Sequence, residues 1–300
     1  MSEDYLWDRS GPPDLEIARL EQRLEPMRYR HQEFGMPRRS RAAWPVAAAV
    51  LAAAAGLVLL VAPPAPAIAW EVNGAPLRRG QMLRTGSSPL LLEDLQVGRV
   101  DLGAHSVLRA TENKRLTLER GQLHAFIWAP AREFVVDTPS ARAIDLGCEY
   151  TLNVDDRGEG LLKVSMGWVA FRAAGRESFI PAGAVCETRR RSGPGVPYFE
   201  EAGEALRSAL ARWERGDRGA LGDVLSAAGP HDGLTLWHLL TRVREGERGA
   251  VFDRLRELAP ATAGVSREAA LRGEARAIDA CWNALGLENT EWWRGWERAW

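Results

Sequence analysis

The spacing of apolar residues along this chain changes several times, and each change marks an element. Near the N-terminus, Ile17, Leu20, Leu24 and Met27 recur at intervals of 3, 4 and 3, which is one face of a helix. From Trp44 to Ala62 the pattern is continuous: WPVAAAVLAAAAGLVLLVA has 19 residues and no charge. From about Trp70 to Arg190 the period becomes two. Leu116 and Leu118 alternate with polar neighbours, as do Leu123, Ala125 and Ile127, then Phe134, Val136 and Thr138. The same holds for Tyr150, Leu152 and Val154, for Leu162, Val164 and Met166, and for Val169 and Phe171. Alternation of this kind predicts half-buried strands. Turn residues stand between them: Glu119-Arg120-Gly121, Thr138-Pro139-Ser140, Asp155-Asp156-Arg157-Gly158, Ala174-Gly175-Arg176 and Pro181-Ala182-Gly183. Short strands at regular spacing predict an all-β sandwich or roll, and YTLNV-DDRGEG-LLKVSM is its clearest hairpin.

Beyond Gly195 the period returns to that of a helix. One stripe is Phe199, Ala202, Leu206, Ala209 and Trp213; a second is Leu221, Val224, Leu225 and Ala228. A third is Leu236, Leu239, Leu240 and Val243, and a fourth is Val251, Leu255 and Leu258. Ser266 is placed to cap a long helix carrying Leu271, Ala275, Ile278, Trp282 and Leu285, ended by Gly286. Helices of this length with Gly- and Pro-containing turns predict antiparallel helical hairpins.

The run from Trp44 to Ala62 sets the expected topology. As a helix rising about 1.5 Å per residue it is about 28 Å long, matching the ~30 Å hydrocarbon core of a bilayer. Arg28, Arg30, Arg38, Arg39 and Arg41 precede it against the single acid Glu33, whereas residues 63–76 carry no Lys or Arg. The positive-inside rule then places residues 1–43 in the cytoplasm and residues 63–300 outside it, with Trp44 and Trp70 flanking the span. Ala67-Ile68-Ala69 resembles a signal-peptidase site, but the apolar core is longer than a signal peptide's and 43 residues precede it, so a retained anchor is expected. Gly56 lies in its alanine-rich face, where small residues permit close helix approach.

The expected architecture is therefore multidomain, β plus α. A cytoplasmic helical segment (1–43) leads into a transmembrane helix (44–62) and a Pro/Ala linker (63–69). An all-β domain (70–190) and an all-α helical-hairpin domain (195–300) follow. Three hundred residues, 46% of them hydrophobic, suffice for a sizeable core. A net charge of −1 with dispersed arginines offers no basic field to nucleic acid. The sequence contains no nucleophile elbow, zinc-protease helix, phosphate loop or dinucleotide fingerprint, so neither catalysis nor a cofactor is expected.

Two segments read as binding surfaces. Residues 1–43 cannot bury much surface alone, and Leu6, Trp7, Ile17, Leu20, Leu24 and Met27 are the expected partner-binding set, offered as a helix to a hydrophobic groove. At the other end, NTEWWRGWERAW places Trp292, Trp293, Trp296 and Trp300 on one helical face. That face is either an aromatic platform for a glycan, a lipid headgroup or a protein, or a terminal helix docked on the bundle.

The β region carries a resemblance. Its residues are Leu118 with Gly121, Phe126, Phe134-Val135-Val136-Asp137-Thr138, Leu146-Gly147 with Tyr150, Val164 with Gly167 and Val169, and Ala182-Gly183. Over Trp70–Arg190 this pattern resembles the FecR-like domain of inner-membrane regulators of bacterial cell-surface signalling and related anti-sigma proteins. The resemblance implies a β fold beyond the membrane and, on the cytoplasmic side, an extracytoplasmic-function sigma factor as partner. The chain departs from the family pattern in having Cys148 in Leu146-Gly147-Cys148-Glu149-Tyr150, where a threonine is usual, and in a second cysteine, Cys186, in the closing strand. Both lie in one β unit outside the reducing compartment, which leads to the expectation of a Cys148–Cys186 disulfide; two buried thiols are the alternative. The cytoplasmic part is shorter than in well-known regulators of the family, and the helical end does not read like their signalling subdomain. A non-catalytic envelope scaffold, binding a glycan or a periplasmic protein through the β and helical regions, is the competing function.

Overall fold

The computed structural model describes residues 15–25, 67–173 and 175–287. The described residues fall into two units, 15–25 in one and 67–287 in the other, divided between residues 62 and 63. In the first, α1 (Leu15–Leu24) is a helix carrying positions 17, 20 and 24. The span from Trp44 to Ala62 and the tryptophans at 292, 293, 296 and 300 lie outside the described residues, as do Leu6, Trp7 and Met27. Among the described residues no helix is long and apolar enough to cross a membrane.

The second unit opens with strands β1 (Ala67–Val72), β2 (Ala75–Arg78), β3 (Met82–Arg84), β4 (Leu90–Asp94), β5 (Gly98–Leu102) and β6 (Val107–Glu112). It continues with the long β7 (Arg115–Ile127), then β8 (Val135–Asp137), β9 (Arg142–Asp145), β10 (Glu149–Val154) and β11 (Gly160–Met166). Strands β12 (Trp168–Ala173), β13 (Arg176–Pro181), β14 (Ala184–Arg189), β15 (Gly193–Pro194) and β16 (Tyr198–Phe199) complete it. One sheet runs β2-β1-β4-β5-β7-β10-β11-β14, and the other runs β13-β12-β9-β8-β7-β6-β3. Every pair is antiparallel except β7 with β8.

Strand β7 belongs to both sheets. Its first half pairs with β6 and β8, and its second half with β5 and β10. The change of sheet occurs at Gly121, whose φ is +96°. A Cβ there would stand 2.1 Å from Ser106 Oγ and 2.5 Å from Ser106 Cα, so only glycine lets β6 and β7 approach this closely. Ser106 fills the space by accepting the Gln122 N–H at 2.9 Å. Glu119-Arg120-Gly121 is thus not a turn between strands but a kink inside one. The inward residues Leu116, Leu118, Leu123, Ala125 and Ile127 keep their burial through it. Trp70 of β1 meets Phe134, next to β8, at 5.7 Å between ring centroids and joins the two sheets across the core.

The helices that follow are α2 (Glu204–Glu214), α3 (Ala220–Ala227), α4 (Gly233–Leu240), α5 (Glu245–Leu258), α6 (Arg267–Leu271) and α7 (Ala275–Ala284). Helix α4 is buried on every side. Ser266 does cap α6, accepting from the Ala269 N–H. The long helix expected after it is instead two: Gly273 adopts φ +71°, the Glu274 N–H reaches back to the Ala269 carbonyl, and the chain restarts as α7. Three expected boundaries also move. β1 begins inside the stretch read as linker, Phe199 belongs to a strand rather than a helical stripe, and the β and α regions share one hydrophobic core instead of forming two domains.

Substitution at the kink tests its role. Gly121→Ala is expected to lower stability by about 2–4 kcal/mol, since it adds positive-φ strain to a clash with backbone. Gly175→Ala, at φ +72° with nothing within 4 Å of the new methyl, should cost only about 1 kcal/mol, both read from urea unfolding of the full chain.

Candidate functional site: a polar junction, a buried acid and an exposed helix

Three places carry polar or apolar groups beyond what the core requires. The first joins sheet to helices. β13 pairs with β12 on one side only, so its other edge presents backbone groups that need partners. His238 of α4 meets one of them: its Nε2 accepts the Phe179 N–H at 3.1 Å, and its Nδ1 lies 2.9 Å from the Leu234 carbonyl. An amide N–H only donates, so Nε2 is unprotonated and Nδ1 carries the proton. The ring is therefore neutral, and burial together with the Arg242 charge holds its pKa well below the ordinary value. Arg242, two residues past α4, meets the next group. Its Nη2 donates to the Glu177 carbonyl at 2.9 Å and to Ser178 Oγ at 2.6 Å, while Nη1 donates to the Pro194 carbonyl at 3.2 Å. Desolvation lowers its pKa to about 10, so it remains a cation at neutral pH. An aromatic cluster seals this junction: Trp282 of α7 lies 4.6 Å from Trp237, 5.6 Å from Trp168 and 6.1 Å from Phe179, centroid to centroid. Trp237 Nε1 donates to the Ile278 carbonyl at 2.8 Å.

Beside the junction, Glu214 of α2 accepts from the Val196 N–H and from Arg189. Burial raises its pKa. It lines a cavity of about 200 Å³ with Glu187, Tyr198, Glu204 and Arg207. Their charges are already matched, Arg207 to Glu204 at 2.7 Å and Arg189 to Glu187 at 3.0 Å.

The second place is the turn from β9 to β10. Asp145 is buried and accepts the Gly147 N–H at 2.8 Å and the Cys148 thiol. Burial outweighs these bonds and pushes its carboxyl up to about 7. Cys148 is raised well above an ordinary thiol by burial and by the facing carboxylate. The Tyr150 hydroxyl is buried nearby with no hydrogen-bond partner. No disulfide forms here. Cys148, Cys186 and Cys281 are all free and buried. The register explains this. Cys186 pairs with Leu162, which pairs with Leu152, four residues beyond Cys148 and two strands away. At about 3.3 Å per residue and ~4.8 Å per strand, the separation far exceeds the ~6 Å a disulfide spans. Cys186 instead directs its thiol to the Gly195 carbonyl at 3.3 Å, and burial pushes its pKa to about 12.

The third place is α1, where Leu24 is 57% exposed. Of the expected partner-binding set, Ile17, Leu20 and Leu24 fall on this helix. Among the described residues no group of three or more His, Cys, Asp or Glu could hold a metal ion. His231 and Asp232 serve a turn, Asp232 accepting the Gly229 N–H at 2.7 Å.

No family model matches the chain, and no curated protein matches it. Two crystal structures of a candidate anti-sigma factor from Parabacteroides distasonis ATCC 8503, at 1.65 and 2.50 Å resolution, are similar over 45% of this chain. The identities are 14% and 16% and the TM-score is 0.35 in both. The chain spans 65% of the length of those proteins. Likeness at that level supports no argument about fold or function.

Two predictions follow from these geometries. Asp145 binds its proton more tightly folded than unfolded, so its contribution is fully present below about pH 4 and is lost as pH rises through about 7. The urea midpoint should therefore fall between pH 5 and pH 8. Asp145→Asn, which still accepts from Gly147, should remove most of that slope. Arg242→Met keeps the stem but takes the guanidinium from three oxygens. It is expected to cost about 2–4 kcal/mol by the same measurement, more than removal of a surface arginine such as Arg79.

Proposed function

We propose that the chain is a single-pass regulator of the bacterial inner membrane, with its N-terminus in the cytoplasm and residues 67–287 in the periplasm. The reading combines the charge-flanked apolar run at Trp44–Ala62 with the FecR-like pattern of the β region. The observation that carries it is α1, a short amphipathic helix that leaves Leu24 largely in water. A helix of ten residues is marginal alone, and an apolar stripe on it gains stability by entering a partner's groove. The partner proposed is an extracytoplasmic-function sigma factor, held or released according to a periplasmic event. The role requires no catalysis by this chain.

Coexpression tests the assignment. The full chain, extracted in detergent, should copurify with the sigma factor encoded beside its gene, and Leu20→Asp with Leu24→Asp should reduce recovery about tenfold or more. Transcription from that sigma factor's promoters should change in step. Absence of any sigma-factor complex, with transcription unaffected by the double substitution, sinks the regulator and leaves an envelope scaffold.

A further inference from the structure

The second unit carries exposed hydrophobic side chains, and most of them collect at one end of one sheet. Phe126 is 40% exposed, Trp128 50%, Met166 46% and Leu95 94%. Phe126 and Trp128 pack edge to face at 5.9 Å. Trp128 Nε1 donates to the Leu95 carbonyl at 3.0 Å. In register, Arg99 of β5 pairs with Phe126, Phe126 with Glu149, and Glu149 with Met166, so these positions form one row across the sheet. Leu95 tops the turn between β4 and β5 beside that row.

The same end is where the chain enters the domain. β1 pairs with β4 through Glu71 with Glu93 and Val72 with Leu92. In this antiparallel pair, running back along β1 from Glu71 leads in the direction of the turn that follows β4 and carries Leu95 and Gln96. Ala67 follows Ala62, the last residue of the apolar run, by only four intervening residues. The five Cα–Cα steps from Ala62 to Ala67 reach at most about 18 Å, even fully extended. The exposed cluster and the tether to the span therefore share one end of the fold.

We propose that this end is a bilayer-docking surface, with Leu95, Phe126, Trp128 and Met166 seated in the interfacial layer of the membrane that residues 44–62 span. The inference rests on the membrane-anchored reading given above. A protein tip entering that layer gains from having its backbone polar groups paired internally. Several of this tip's are. Asp94 Oδ1 accepts the N–H groups of Gln96 at 2.8 Å and Val97 at 3.2 Å. The Leu95 carbonyl takes the Trp128 indole, and the Val97 carbonyl takes the N–H groups of Trp128 and Ala129, both at 3.0 Å. The apex side chain is thus an aliphatic group on a turn that needs few partners from water. Tryptophan at the rim suits the interface, where an indole has both apolar and polar surroundings. Charges around the row are of both signs, Arg99 with Asp101 at 3.3 Å and Glu149, whose Oε1 lies 3.1 Å from His124 Nε2. Attachment is accordingly apolar and independent of anionic lipid.

The test reconstitutes the full chain into phosphatidylcholine vesicles. A single environment-sensitive dye is placed at Leu95→Cys or, as control, at Arg157→Cys. The native cysteines are buried, which directs labelling to the new thiol. Arg157 is exposed in the β10–β11 turn, at the opposite end of the sheet. Spin-labelled phosphatidylcholine should quench the dye at 95 about threefold or more over that at 157, and Trp128→Ala should reduce the difference. Vesicles that float with the chain but quench both sites equally overturn the docking surface and leave the anchor intact. A blue shift at 95 without lipid quenching assigns the surface to protein, such as a second copy, and likewise overturns it. A chain that fails to float with the vesicles refutes the anchor, and the docking surface with it.

Discussion

A strand at the end of a sheet cannot be covered by apolar helices unless its outward backbone groups find partners, and β13 is where this fold meets that requirement. Successive odd positions of the strand turn their N–H and C=O toward the open side, and two of those groups are met by α4 and the residues after it: Phe179 N–H by His238 and Glu177 C=O by Arg242. Each partner is constrained by its task. The imidazole has to be neutral, because only an unprotonated Nε2 accepts. The guanidinium has to be charged yet held by neutral oxygens, which its planar set of five donors allows. With the edge closed in this way, the helices complete the sheet. β12 accordingly buries Trp168, Val169, Ala170 and Phe171 in succession, one face toward the other sheet and one toward the helices.

Much of this was legible in the sequence, and the failures have physical causes. Two-residue alternation identified β10 and β11 and the hairpin between them because one face of each is buried and the other is not. The same rule misread Gly121. A glycine preceded by two charges looks like a turn, and only the approach of Ser106, just before β6 and fifteen positions earlier, shows that it lets one strand serve two sheets. The disulfide failed for a similar reason. Occupying the same β unit says nothing about register, and the pairing of β10, β11 and β14 separates the two thiols. Gly273 interrupts an amphipathic stripe without disturbing its period, so a helix and a break look alike until the backbone is seen. The junction itself had a signal: in GLTLWHLLTR, His238 and Arg242 are the only strongly polar side chains in an otherwise apolar helix and its exit. A stripe on one face would not have required them.

The shared core also limits how the proposed signal would travel. Two domains joined by a linker can transmit by changing their relative angle. A sheet whose edge bonds and aromatic cluster are built from its own helices has no such freedom short of breaking the Phe179–His238 and Glu177–Arg242 bonds inside an apolar setting, each loss costing about 1–3 kcal/mol. A ligand can shift a conformational equilibrium only by its differential affinity for the two states. One that merely touches the helical surface therefore moves the whole body before it separates helices from sheet. The chain leaves that body at β1, which pairs with β4, near the end of the sheet where the Cys148 carbonyl holds the Ile127 N–H at 3.1 Å. Any displacement of the body reaches the residues before β1 through this end, which is also where most of the exposed large apolar side chains among its described residues gather.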